Sequence, residues 1–494
     1  MRTMRVVAVT AVLAVLGAGC AWYDVVSVDN TGDPGNGLSD FSYANATLNV
    51  DGQFVVFSSD ADDLVGGDAN GATDVFVRDL VNQSTERITG AEGGTNASIS
   101  ADGRYIAYVS QSGGVYVHDR NSGTATRQDL RWDGTDPAWP GYMPEISGNG
   151  QYVVFTSRDT LLLEPVLGNA VLNGRSNIFR RSISGGSLDL LSPGPLGIGG
   201  DGAGNEPTID HDGSHVVYDS EATDLIGAGN DSNGQRDIFL WTGGTVSRIS
   251  EGPGGVEADG ANLSPIISGN GGFVVFVTNA TNIAAGVPGA TVPVVADLGT
   301  GLIENLGPVH APGSGNGQRP TLSDDGRFVG FNTYLALNSG DPASGGAYVW
   351  DRLLDEVQFV GTDTNLTPVF NTGTPHLSRD GAYVAFSGGG FPDQIHARTA
   401  LVPEPDTVSP PTIALGQTAT YTITGRFFPS DAVVQINSNK VTVGTTTWVS
   451  GTELQVELTA GLNAPLTARN VSVEAPGLLG SSIGECAGCL TITP

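Results

Sequence analysis

Two stretches of this chain carry side chains at a spacing that could do chemistry. Asp68-Ala69-Asn70-Gly71-Ala72-Thr73-Asp74 and Asp231-Ser232-Asn233-Gly234-Gln235-Arg236-Asp237 place Asp, Asn and Asp at identical intervals around an Asn-Gly pair. Oxygens so arranged could gather on Ca2+, a hard cation that takes about six to eight oxygen ligands. The same residues could instead cap the loop, because Asp and Asn side chains accept hydrogen bonds from nearby backbone N–H groups and Asn-Gly turns the chain. A third stretch keeps Asn173-Gly174 and Asn177 but has Val171 at the first position, which weakens the metal reading.

The remaining candidate ligands are sparse. His211 and His215 flank Asp212-Gly213, so a hairpin would bring them near one another, but no glutamate lies between them as in a zinc protease helix. They read as ordinary strand-end residues. Cys486 and Cys489 form a C-x-x-C pair with no second pair to complete a four-ligand zinc site, so a small structural disulfide is expected. No separate α/β-hydrolase domain to carry a G-x-S-x-G elbow is found, and the seven turns lack the form of a sialidase Asp-box.

The elements that must position these residues follow from a repeat. Asp51-Gly52, Asp102-Gly103, Asn149-Gly150, Asp212-Gly213, Asn270-Gly271, Asp325-Gly326 and Asp380-Gly381 each lead, after one residue, into a short strand such as Phe54-Val55-Val56-Phe57 or Tyr152-Val153-Val154-Phe155. Such a strand is apolar on both faces, as one sandwiched between neighbouring sheets must be. The Asp-Gly and Asn-Gly pairs suit a type I′ hairpin turn. Four short strands per unit of this size predict an all-β fold, a seven-bladed β-propeller, over residues 20–400. The last repeat has three strands, and Tyr23 to Val28 resembles an outer strand, so the N-terminal strand is expected to complete the seventh blade and remove an open sheet edge.

The repeat resembles the TolB-type propeller repeat. Pro375-His376-Leu377-Ser378-Arg379-Asp380-Gly381 and Pro320-Thr321-Leu322-Ser323-Asp324-Asp325-Gly326 match its first half, and Asp74-Val75-Phe76-Val77-Arg78-Asp79 its second. In the first unit Asn49 stands where the pattern has serine. This resemblance implies the fold and leaves activity open, since propellers host many functions.

Leu401-Val402-Pro403-Glu404-Pro405 changes the composition, and residues 401–408 read as a linker to an immunoglobulin-like β-sandwich over 409–494. Ser409-Pro410-Pro411, Gly416, Tyr421-Thr422-Ile423-Thr424-Gly425 and Phe427-Phe428 resemble the IPT/TIG class. In exported proteins this resemblance implies a spacer or adhesion element.

Residues 1–19 order Arg2 and Arg5, an apolar run from Val6 to Leu16 and small residues, as an export signal does. Gly17-Ala18-Gly19-Cys20 resembles a bacterial lipobox, with Gly17 at the leucine position. The resemblance implies lipidation of Cys20 and attachment to the membrane of the bacterial envelope, periplasmic or at the cell surface. A net charge of −30, from 52 acidic and 22 basic side chains, argues against nucleic acid as a partner. The function expected is non-enzymatic binding of an envelope protein or glycan, or scaffolding, with Ca2+ as the candidate cofactor. The alternative is a polysaccharide hydrolase or lyase using carboxylates at the mouth of the propeller channel.

Overall fold

The computed structural model describes residues 23–41, 47–164, 173–184, 186–195, 197–227, 229–284, 291–305, 319–334, 336–337, 341–342, 346–362, 373–388, 393–400, 403–428, 432–450, 452–476 and 482–494. Cys20, the candidate lipidation site, lies outside them. Among the described residues all regular elements are strands, and the chain divides near residue 401 into two compact units.

The first unit contains seven four-stranded antiparallel sheets among its described residues. In the first, Ser39–Asp40, Phe54–Ser59, Asp74–Asp79 and Ser84–Arg87 lie in that order from inside to outside. In the last, His376–Leu377, Tyr383–Gly388 and Gln394–Thr399 are joined by Tyr23–Val25, whose pairing sets Asp24 against Ala397. Buried Val26 continues the closure, its N–H donating to Ile395 O at 2.8 Å.

A circuit of backbone hydrogen bonds ties the inner turns together. The N–H of Val50 donates to Ala101 O, Ala101 to Gly148 O, Asn149 to His211 O, His211 to Gly269 O, Asn270 to Asp324 O, Asp324 to Arg379 O, and Asp380 back to Val50 O. These bonds span 2.6–3.1 Å and pass through every one of the seven sheets. They satisfy backbone groups that a free turn would leave to water.

The repeated residue types explain how neighbouring sheets fit. Each turn glycine has φ between +67° and +82°, and an added Cβ would strike the first ring of the preceding sheet's second strand. Gly103 faces Phe54 in this way, Gly150 faces Tyr105, Gly326 faces Phe273, and Gly52 closes the series against Tyr383. Arginines also lie over several of these rings. Arg120 lies 4.4 Å from the Phe54 centroid while donating to Gly103 O, and Arg352 lies 4.6 Å from Phe273. The second ring of each strand has a different task, pairing across its own sheet. Phe57 stacks on Phe76 and Phe155 on Phe179, each at 5.8 Å.

The turns are not type I′. Their Asp and Asn residues have no positive φ; only the glycines do, and Gly103 N–H closes a tight turn onto Ser100 O at 2.9 Å. The acidic side chain replaces the missing geometry, as Asp102 Oδ1 accepts from Arg104 N–H at 3.0 Å and from Ser100 Oγ at 2.6 Å. Asn49 does the work of the absent serine, accepting from Phe54 N–H at 2.8 Å and donating to Asp51.

The second unit is a sandwich of two four-stranded sheets. One holds Glu404–Ser409, Thr418–Arg426, Glu453–Ala460 and Val441–Ser450; the other holds Thr412–Ala414, Ser482–Thr493, Ala468–Ala475 and Val433–Ile436. Tyr421, Ile423, Leu454, Val456, Val471 and Leu490 fill the space between them. Residues 404–408 are therefore not linker. Pro405 is tolerated because this strand is at the sheet edge and its register shifts between Pro405 and Thr407. Cys486 and Cys489 are bonded to each other on the strand Ser482–Thr493.

Candidate functional site

The two Asp-x-Asn loops open the third strands of the first and fourth sheets, on the rim opposite the Asp-Gly turns. In both, the asparagine is a turn residue. Asn70 Oδ1 accepts from Ala72 N–H at 2.9 Å and Asn233 Oδ1 from Gln235 N–H at 2.6 Å. Each amide then donates to the closing aspartate, Asn70 to Asp74 at 2.8 Å and Asn233 to Asp237 at 3.1 Å. In both loops the atom that faces the closing acid is therefore the amide nitrogen, which cannot ligate a cation, while Oδ1 accepts from the loop backbone.

The acids themselves have different surroundings. Asp68 receives Arg87 Nη1 at 2.7 Å, and the same nitrogen lies 3.8 Å from Asp74, so a guanidinium spans the pair. Asp74 is further bonded by Thr89 Oγ1. In the fourth sheet Arg248 approaches the closing acid as closely as Arg87 does but makes no ion pair with Asp231. Its Nη1 lies 2.8 Å from Glu257 and 3.7 Å from Asp237, and its Nε is 3.2 Å from Glu251. Asp231 Oδ1 is left buried without a hydrogen-bond partner.

Asp231, Asp237 and Glu257 bring ligand atoms within 4.8 Å of one another. Burial, and next the charge of Asp237, push the Asp231 carboxyl upward, and burial also raises Asp237. Glu257 goes the other way, because hydrogen bonds from the Ser232 N–H and hydroxyl outweigh the upward effect of burial. Sequence reasoning missed Glu257. It arrives on a short hairpin, Glu251–Gly252 with Val256–Glu257, that no spacing rule connects to Asp231.

Two carboxylates also meet in a small cavity. Glu145, Asp324 and Arg379 line a cavity with Ile209, Ile267 and Leu377. Asp324 is raised by burial, and Arg379 Nη1 approaches it to 3.5 Å. The cavity volume is about 40 Å3, room for about three water molecules. His211 packs at the same turn circuit, whereas His215 bonds Asp210 at 2.7 Å, so the two histidines do not share a site.

A further buried acid lies in the fourth sheet. Asp219 is fully buried with Arg236 Nε at 3.2 Å, yet neither carboxylate oxygen has a hydrogen bond. Burial, then the charge of Glu206, lifts its carboxyl well above the usual range despite Arg236. The native state thus keeps a proton that the unfolded chain releases near pH of about 4, and stability from this group declines as pH rises above that value. Asp219→Asn should raise the melting temperature at pH 7.5 and change it little at pH 4. A fall at both pH values would mean that the Arg236 pair dominates.

A loop between the second and third sheets presents two large apolar side chains to solvent on the same rim. Trp132 is 52% and Trp139 63% exposed. Their backbone is held firmly: Arg131 grips buried Asp159 at 3.0 and 2.8 Å, and Asp159 Oδ2 accepts from Ala138 N–H at 2.6 Å. Ser157 Oγ also donates to Trp139 O, and Arg181 Nη2 to Leu130 O at 2.7 Å.

No curated protein matches the chain in sequence. Solved structures similar to it include an oligogalacturonate lyase from Vibrio parahaemolyticus, 15% identical with a TM-score of 0.50, covering 78% of this chain and 98% of that one. An oligogalacturonate lyase in complex with manganese is 14% identical with a TM-score of 0.49, over 78% of this chain and 98% of that one. The β-propeller domain of the Trilobed protease from Pyrococcus furiosus is 11% identical with a TM-score of 0.43, over 70% and 92%. At such identities the likeness concerns fold alone. Residues 403–484 match the IPT/TIG domain family, and the chain is an all-β protein in which a β-propeller precedes an immunoglobulin-like IPT/TIG domain.

Proposed function

We propose that this is a non-enzymatic binding protein of the bacterial cell envelope that recognises a glycan, exported and anchored through Cys20. The observation that carries the reading is the clamped loop with Trp132 and Trp139 in solvent. Indole faces stack on the C–H faces of sugar rings, and water gains by their burial. Because the Arg131–Asp159 grip orders the loop beforehand, little conformational entropy is lost on binding.

The second reading is an envelope polysaccharide hydrolase or lyase. The names of the similar lyase structures bring it forward, and Glu145 and Asp324 would serve as its carboxylates.

Affinity electrophoresis against cell-wall and capsular polysaccharides tests both. Retardation of the native protein without release of reducing or unsaturated ends is the expected result. The variant Trp132→Ala/Trp139→Ala should melt as the native protein does and bind at least tenfold more weakly, in line with about 2 kcal/mol for a central tryptophan contact. Equal binding by the variant would remove the loop from the reading, and bond cleavage would replace it with the enzymatic one.

A further inference from the structure

The fourth and first sheets solve the same electrostatic problem differently. Both close an Asp-x-Asn-Gly-x-x-Asp loop with two carboxylates, and in the first sheet Arg87 bonds Asp68 at 2.7 Å and lies 3.8 Å from Asp74. In the fourth sheet Glu257 enters as a third acid and, with Glu251, holds Arg248 on its own side. That leaves Asp231, 5% exposed, with an oxygen that nothing in its surroundings bonds.

We propose that Asp231, Asp237 and Glu257 bind Ca2+, and that the matching loop of the first sheet does not. Oxygen donors around Ca2+ stand about 2.3–2.6 Å from the ion, so two of them lie at most about 5 Å apart, and the three acids already meet that limit at 4.8 Å. Their all-carboxylate chemistry suits a hard cation rather than zinc or copper, which prefer nitrogen and sulfur donors. An anionic oxygen buried without a donor is costly, and a cation supplies what the loop withholds from Asp231. Asp237 is held in place for the role, its Oδ1 receiving Ser250 Oγ at 2.5 Å and Asn262 Nδ2 at 3.2 Å. Glu257 is fixed by the N–H and hydroxyl of Ser232, at 2.7 and 2.8 Å.

The test is calorimetric titration of the chelator-treated full chain with CaCl2, alongside melting curves with and without 1 mM Ca2+. One saturable site and a rise of several degrees in melting temperature are expected, with a smaller rise for Mg2+. Asp231→Asn and, separately, Glu257→Gln should weaken Ca2+ binding at least tenfold. Asp68→Asn should leave it unchanged. The proposal is overturned if the folded native protein shows no saturable binding at millimolar Ca2+, if Asp231→Asn and Glu257→Gln bind as the native chain does, or if Asp68→Asn abolishes the site.

Discussion

Deleting the chain through Asn30 is expected to destabilise the propeller by roughly 5–8 kcal/mol, from the apolar burial and hydrogen bonds lost. The deletion removes the outer strand Tyr23–Val25 of the last sheet and exposes one edge of Gln394–Thr399. It also removes Val26, 0% exposed, and Val28, 4% exposed, which lie in the core between the first and last sheets. Ser27 goes with them, and with it the 2.6 Å bond to Gln394 and the 3.0 Å bond that its hydroxyl receives from Ile395 N–H. Thr85 Oγ1 loses its acceptor, Val28 O. Because the Ser27 contacts join residues more than 350 positions apart, they restrain the whole ring. Thermal denaturation of the truncated protein measures the effect, and an unchanged melting temperature would show that the ring holds without its terminal strand.

Gly103→Val is expected to cost about 3–5 kcal/mol, a sum of the left-handed backbone penalty and the strain of overpacking. Gly103 has φ of +73°, and its added Cβ would meet Phe54 Cδ2 at 2.3 Å. Arg120 lies 4.4 Å from the centroid of that ring and donates to Gly103 O, so a shift of Phe54 disturbs this contact as well. Gly71 provides the control. Its φ of +66° is similar, but nothing lies within 4 Å of an added Cβ. Gly71→Ala should therefore cost about 1 kcal/mol, the backbone penalty alone. Urea denaturation of both variants separates the two contributions. Equal losses would mean that the glycines of the Asp-Gly turns serve the turn and not the seating of the neighbouring ring.

The sequence by itself determined the class of fold and the number of repeated turns, because both rest on local physics. A strand such as Phe54-Val55-Val56-Phe57 must be covered on both faces whatever its partner, and Asp-Gly must turn wherever it occurs. The same holds for the immunoglobulin-like unit, where the burial of Glu453–Ala460 alternates as its residue types do. Local rules failed where two conformations share one residue preference. Asp-Gly served a turn with positive φ at glycine alone, and Pro405 served an edge strand in place of a linker.

The candidate site was half legible for the same reason. Asp231 and Asp237 belong to one loop, and their spacing announced a gathering of oxygens. Whether those oxygens are free depends on which way a neighbouring arginine leans, and that is settled by Glu251 and Glu257 on a separate hairpin. Likewise, nothing in the residues around Trp132 and Trp139 says that they stand in solvent. Their exposure follows from Asp159, more than 15 residues further on, which draws the loop backbone inward and leaves the indoles outside. Tertiary structure decided these points because partners distant in the chain set the charge and exposure of each group.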